Sequence, residues 1–111
     1  MELHFTNGYS RPLSIAIMFF SPDTCGAYGS WGTRGWWNLN PGGSAYVLNT
    51  NNRYAAYYAE ATDGRIWAGD RGPVYVYPSA FDSCLKIGST AARQVNMRLV
   101  DLQQFSTYRL T

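Results

Sequence analysis

The sequence predicts an all-β domain, an antiparallel β-sandwich or small barrel of about eight or nine short strands. Three observations lead there. Gly (11) and Pro (5) punctuate short apolar segments along the whole chain of 111 residues. Aromatic residues reach 16%, led by nine tyrosines, and rings of this kind suit a pleated surface. Between the turn signals, apolar side chains alternate more often than they recur at helical spacing. A chain of this length fits one domain, residues 1–111, large enough to bury a core without a metal to hold it.

Taken in order, Glu2 to Thr6 is a short strand, and Asn7-Gly8 carries the two-residue signature of a hairpin turn. Leu13, Ile15, Ile17 and Phe19 alternate with Ala16, Met18 and Phe20, so both faces of the next strand are apolar and it belongs at the centre of a sheet. Residues 21–30 form a loop with room for one short helix starting at Ser21 or Asp23. A strand follows over Gly35 to Leu39, then a tight turn at Asn40-Pro41-Gly42-Gly43, where Pro fixes φ and Gly supplies the left-handed position.

Ser44 to Asn49 is a further strand. Residues 53–61 fit helical spacing as well as alternation; their tyrosines and the Asp63-Gly64 turn after them favour a strand paired with Arg65 to Ala68. Val74 to Tyr77 is a strand, and Phe81 to Cys84 is expected as one short helical turn. Ala92 to Leu102 alternates with Val95, Met97 and Leu99 inward, and Ser106 to Leu110 closes the fold.

Three of the four tryptophans fall in Trp31-Gly32-Thr33-Arg34-Gly35-Trp36-Trp37. Neighbouring strand residues point to opposite faces, so Trp36 and Trp37 cannot enter the same core. One anchors the fold, and the other meets a second layer, a partner or water. The candidate ligand-binding residues are therefore the aromatic and arginine side chains Trp31, Arg34, Trp36, Trp37, Tyr57 and Trp67, which could stack on a sugar face, an apolar ligand or a protein partner.

Charge and composition exclude several classes. The net charge of +2 is too small to argue for nucleic acid. Charged residues make up 14%, and eight of the nine basic ones are arginine, which favours stacking on rings. The longest apolar run, Leu13 to Phe20, is far short of a membrane-spanning helix, and Met1-Glu2-Leu3-His4-Phe5 carries no secretory signal pattern. A single histidine, His4, and two distant cysteines supply neither a zinc site nor a convincing nucleophile and base. No metal and no cofactor is expected. Among the acids, Asp63 and Asp70 read as turn residues. Glu60 lies in an apolar strand and needs a partner such as Arg53 or Arg65. A hydrolase using Glu60 with Asp63 or Asp70 ranks behind the non-catalytic readings. Cys25 and Cys84 fit either a disulfide or two separate thiols.

Several of these residues together resemble a bacterial family, number 1036 among the catalogued domains of unknown function. The similarity rests on Asn7 with Ser14-Ile15-Ala16-Ile17; on Trp31, Gly35, Trp36, Trp37, Leu39, Pro41 and Gly42; on Tyr54, Tyr57 and Tyr58; on Asp63, Gly64, Trp67 and Gly69; and on Phe81 with Cys84. It covers about residues 3 to 100. The resemblance implies a small, often exported protein, secreted or periplasmic, and supplies no catalytic residues. Where members often carry cysteine, this chain has Thr6 and Gly43-Ser44, which leaves Cys25 as a substitute partner for Cys84. The expected function is a non-catalytic binding module that takes a glycan or another protein through exposed aromatics. The alternative is a small toxin or effector, or part of a secreted assembly, acting on membranes or by oligomerisation.

Overall fold

The computed structural model describes residues 1–111 and is all-β. Its ten strands are β1 (Glu2–Asn7), β2 (Leu13–Phe20), β3 (Trp31–Leu39), β4 (Ser44–Asn49), β5 (Tyr54–Ala61), β6 (Ile66–Trp67), β7 (Arg71–Val76), β8 (Phe81–Cys84), β9 (Arg93–Asp101) and β10 (Thr107–Leu110). One helical turn, α1 (Pro22–Cys25), and a 3-10 turn, Gly26–Tyr28, fill the loop between β2 and β3. Neither is long and apolar enough to cross a membrane.

The strands form two sheets. The smaller has the order β10-β1-β4, and the larger β7-β9-β5-β2-β3-β8, with β6 also on β5. Pairing is antiparallel except between β1 and β10, the first and last strands, which run parallel. The main core lies between the sheets. Leu3 and Phe5 of β1 meet Leu13, Ile15 and Ile17 of β2 and Ala55, Tyr57 and Ala59 of β5. The alternate residues of the same two strands, Ala16 and Met18, Ala56 and Tyr58, build a second core with Val74, Val76 and Met97. The two-sided apolar pattern of β2 is thus explained: both faces of the central strands are covered.

The second core exists because the larger sheet curls. Six flat strands at about 4.8 Å spacing would hold their outer edges some 24 Å apart. Those edges are β7 and β8, and only residues 77–80 join Val76 to Phe81. Such a link reaches roughly 18 Å when fully extended. The sheet must bend until its two edges approach, and the inner face closes on itself.

Trp36 and Trp37 divide between the two cores. Opposite β3, Ile15 pairs with Trp37 and Ala16 pairs with Gly35, so Trp36 is the extra residue of a β-bulge. Trp37 packs on the main core and Trp36 on the second. Gly35 leaves room for the Phe81 ring from β8; a Cβ there would stand 2.7 Å from it. Cys25 and Cys84 form a disulfide across 59 positions and tie α1 to the end of β8.

Three expectations are corrected. Asn7-Gly8 does not make a hairpin: β1 pairs with β4 and β10, not with β2. The buried Asn7 side chain instead accepts from the Tyr9 N–H and donates to the carbonyls of Arg11 and Leu39, so the turn carries the chain from one sheet to the other. The turn at 40–43 crosses back beside it, with the Gly42 N–H bonded to the Asn7 carbonyl. Phe81–Cys84 is a strand, not a helical turn, because it satisfies the β3 backbone over Gly32–Gly35. The strand expected from Gly35 begins at Trp31.

Candidate functional site

Where the edges of the curled sheet fail to meet, a cleft of about 810 Å³ opens on its inner face. Met18 and Phe20 end β2 there, Trp31 starts β3 opposite Phe20, and Tyr54 starts β5. Leu99 of β9 and Leu85, just past β8, complete the apolar wall. The rings of Phe20 and Trp31 meet edge to face at 5.5 Å. Phe20, Tyr54 and Leu99 are 41%, 38% and 37% exposed, so apolar surface converges on this hollow without being covered. The sheet's own curvature leaves it bare.

Several contacts hold the lining in place. The Arg53 guanidinium lies over the Tyr54 ring at 5.1 Å and grips Asp101 at 2.7 Å. That hydrogen bond keeps the Asp101 carboxyl below its ordinary pKa. Asn52 donates to the Tyr54 carbonyl. On the β8 side, the disulfide fixes Cys84, next to Leu85 and Lys86. The Leu85 N–H bonds the Trp31 carbonyl, and the Lys86 N–H bonds that of Tyr28. The segment then reaches toward β7: the Tyr77 hydroxyl donates to the Ile87 carbonyl, and Gly88 lies against the Tyr75 ring. Arg71 and Lys86 are the cations of the lining, which contains no carboxylate.

A second hollow, of about 260 Å³ and more polar, lies among Ser14, Trp36, Asn38, Glu60 and Arg93. Glu60 accepts from Arg93 at 2.6 Å and from the Tyr58 hydroxyl at 3.1 Å. This corrects the partner expected from sequence: Arg53 holds Asp101, and Arg65 donates to the Thr111 carbonyl while lying over Tyr9 and Trp67. Arg93, nearest in space, is far away in sequence. Its guanidinium also covers Trp36 and Tyr58, and the Glu60 hydrogen bond raises its pKa.

The six candidate aromatic and arginine residues do not share a surface. Trp31 lines the large cleft. Arg34 sits between Asp82, at 3.3 Å, and the Phe19 ring, at 4.9 Å. Trp36 is half-buried, with its indole N–H on the Tyr77 carbonyl at 2.7 Å and edge-to-face contacts to Tyr58 and Phe81. Trp37 packs on the opposite face. Tyr57 and Trp67 belong to the main core, at 3% and 8% exposure. Burial raises the Tyr57 phenol pKa. Sequence reasoning passed over Phe20, Tyr54, Leu85, Leu99, Arg71 and Lys86. One signal was present: the inner face Ala16-Met18-Phe20 stays apolar to the very end of β2.

The acids weighed alongside Glu60 are each engaged elsewhere. Asp63 accepts from the Tyr9 hydroxyl, which holds its pKa down, and Asp70 faces its neighbour Arg71. No three His, Cys, Asp or Glu side chains cluster as metal ligands would. Both cysteines are consumed by the disulfide, and His4 rests edge-on to Tyr46.

Fold and cleft together define a two-sheet β protein whose larger sheet curls around an aromatic-lined hollow. Comparison with protein-family models, with curated proteins and with solved structures gave no match.

Proposed function

We propose that this protein is a non-catalytic binding module whose ligand occupies the cleft between the β7 and β8 edges. The observation that carries this is the convergence of Phe20, Trp31, Tyr54 and Leu99 on one uncovered hollow of about 810 Å³. That volume lies in the roughly 300–1,000 Å³ range of small-molecule sites. Walls that are chiefly hydrophobic, with a few polar groups, suit a ligand with an apolar body better than a saccharide, whose hydroxyls each need a partner.

The neutral fluorophore N-phenyl-1-naphthylamine tests the assignment. Its emission should rise on mixing with the protein. Leu99→Asp, which places a charge on the cleft wall, should weaken binding by about tenfold or more. Ile66→Asp, at an exposed position on β6 outside the cleft, should leave it unchanged. Equal binding by the wild type and Leu99→Asp would remove the cleft from consideration.

A further inference from the structure

We infer that the ligand is a single-chain amphiphile with an anionic head, in chemical class a fatty carboxylate. This deepens the binding reading above and rests on it. The apolar wall accounts for a chain; the charges of the lining assign the head. Arg71 comes from one edge of the curled sheet and Lys86 from just beyond the other, and both line the same cleft. Lys86 takes part in no ion pair, and the only acid near Arg71 is its exposed neighbour Asp70, at 3.5 Å, a pair that solvent weakens. With no carboxylate in the lining, an anion entering beside an alkyl chain meets two cations, and the one acid beside them, Asp70, lies outside the lining and is solvent-screened. A cationic head would find only ring faces and would stand against Arg71 and Lys86.

Two other occupants fit less well. A peptide adding as a strand needs a continuous edge. On β7 the register breaks between Arg71 and Val74, and Pro73 lacks an N–H. A membrane surface calls for a row of projecting rings, whereas of the rings in this cleft only Phe20 and Tyr54 are more than a third exposed, Trp31 is half-buried and Met18 beside it is buried.

The experiment displaces N-phenyl-1-naphthylamine from the full, disulfide-bonded chain with decanoate or decyltrimethylammonium, each below its micelle concentration, or with decanol below its solubility limit. Decanoate should displace the probe about tenfold better than decyltrimethylammonium, and affinity should rise by up to roughly fourfold for each methylene added to the carboxylate. The double variant Arg71→Gln with Lys86→Gln should lower decanoate affinity about tenfold while decanol binding stays constant, which also shows that the variant folds. Equal affinity for decanoate and decanol in the wild type would overturn the anionic head and leave the binding module standing. Probe binding that none of the three amphiphiles displaces would overturn the chain as well. Binding to phosphatidylglycerol vesicles with no competition from monomeric decanoate would overturn the proposal in favour of a membrane surface.

Discussion

Gly35, Trp36 and Trp37 illustrate how closely neighbouring residues can differ in role. The bulge at Trp36 lets Gly35 and Trp36 share the inner face while Trp37 turns outward to the main core. That the two indoles must separate follows from strand geometry alone and was legible in the sequence. That each finds a core was not, because it depends on a curl set by strands distant in the chain. Gly35 is the residue on which this packing turns. In Gly35→Ala the new methyl would meet the Phe81 ring at 2.7 Å and Ala16 Cβ at 3.2 Å. Overpacking of this kind costs about 1–3 kcal/mol, read as a lower midpoint in urea unfolding. An unchanged midpoint would mean that Phe81 does not sit over Gly35. Glu60 carries the complementary lesson. Its need for a cation was evident from its apolar strand, but the choice of Arg93 follows from the curl that brings the start of β9 beside the end of β5.

At the level of elements, β8 and the segment after it build the cleft wall. Four residues, Phe81–Cys84, complete the edge of β3, and the disulfide pins their end to α1. Nothing local in Phe81-Asp82-Ser83-Cys84 announces a strand; pairing with β3 decides it, which is why the sequence suggested a helical turn. Asn7-Gly8 misled for a related reason. Asn7 does turn the chain, but through its own side chain on the Tyr9 N–H; neither Asn7 nor Gly8 takes the left-handed conformation of a two-residue hairpin, and a turn signal does not say whether the next strand joins the same sheet. Most other strands were legible from alternation between turns, including the uncertain stretch 53–61, which is β5. Replacing both cysteines by serine should lower stability by about 4 kcal/mol, the loop-closure value for a cross-link this long. Because Leu85 and Lys86 follow Cys84 directly, the same variant should bind N-phenyl-1-naphthylamine more weakly even where it remains folded. Full probe affinity in the folded serine variant would show that the wall stands without the disulfide.

For the molecule as a whole, the all-β class was visible in composition and turn spacing, while the architecture arises from long-range closure. The first and last strands pair in parallel, and the short link at 77–80 draws the edges of a six-stranded sheet together. That closure sorts the tryptophans: Trp67 is buried in the main core and Trp37 packs on it, while Trp31 and Trp36 both pack on the second core and line separate hollows, Trp31 the large cleft and Trp36 the smaller polar one. No single segment contains this information, so the site was only partly legible, through Trp31. On this reading the ligand binds in the hollow of the curled sheet. The four indole N–H resonances, followed by 1H–15N correlation spectroscopy during titration with N-phenyl-1-naphthylamine, test it most directly. The Trp31 resonance should shift progressively, while those of Trp36, hydrogen-bonded to Tyr77, and of Trp37 and Trp67 stay in place. A titration that moves the Trp37 or Trp67 resonance and leaves Trp31 untouched would place the ligand outside the cleft.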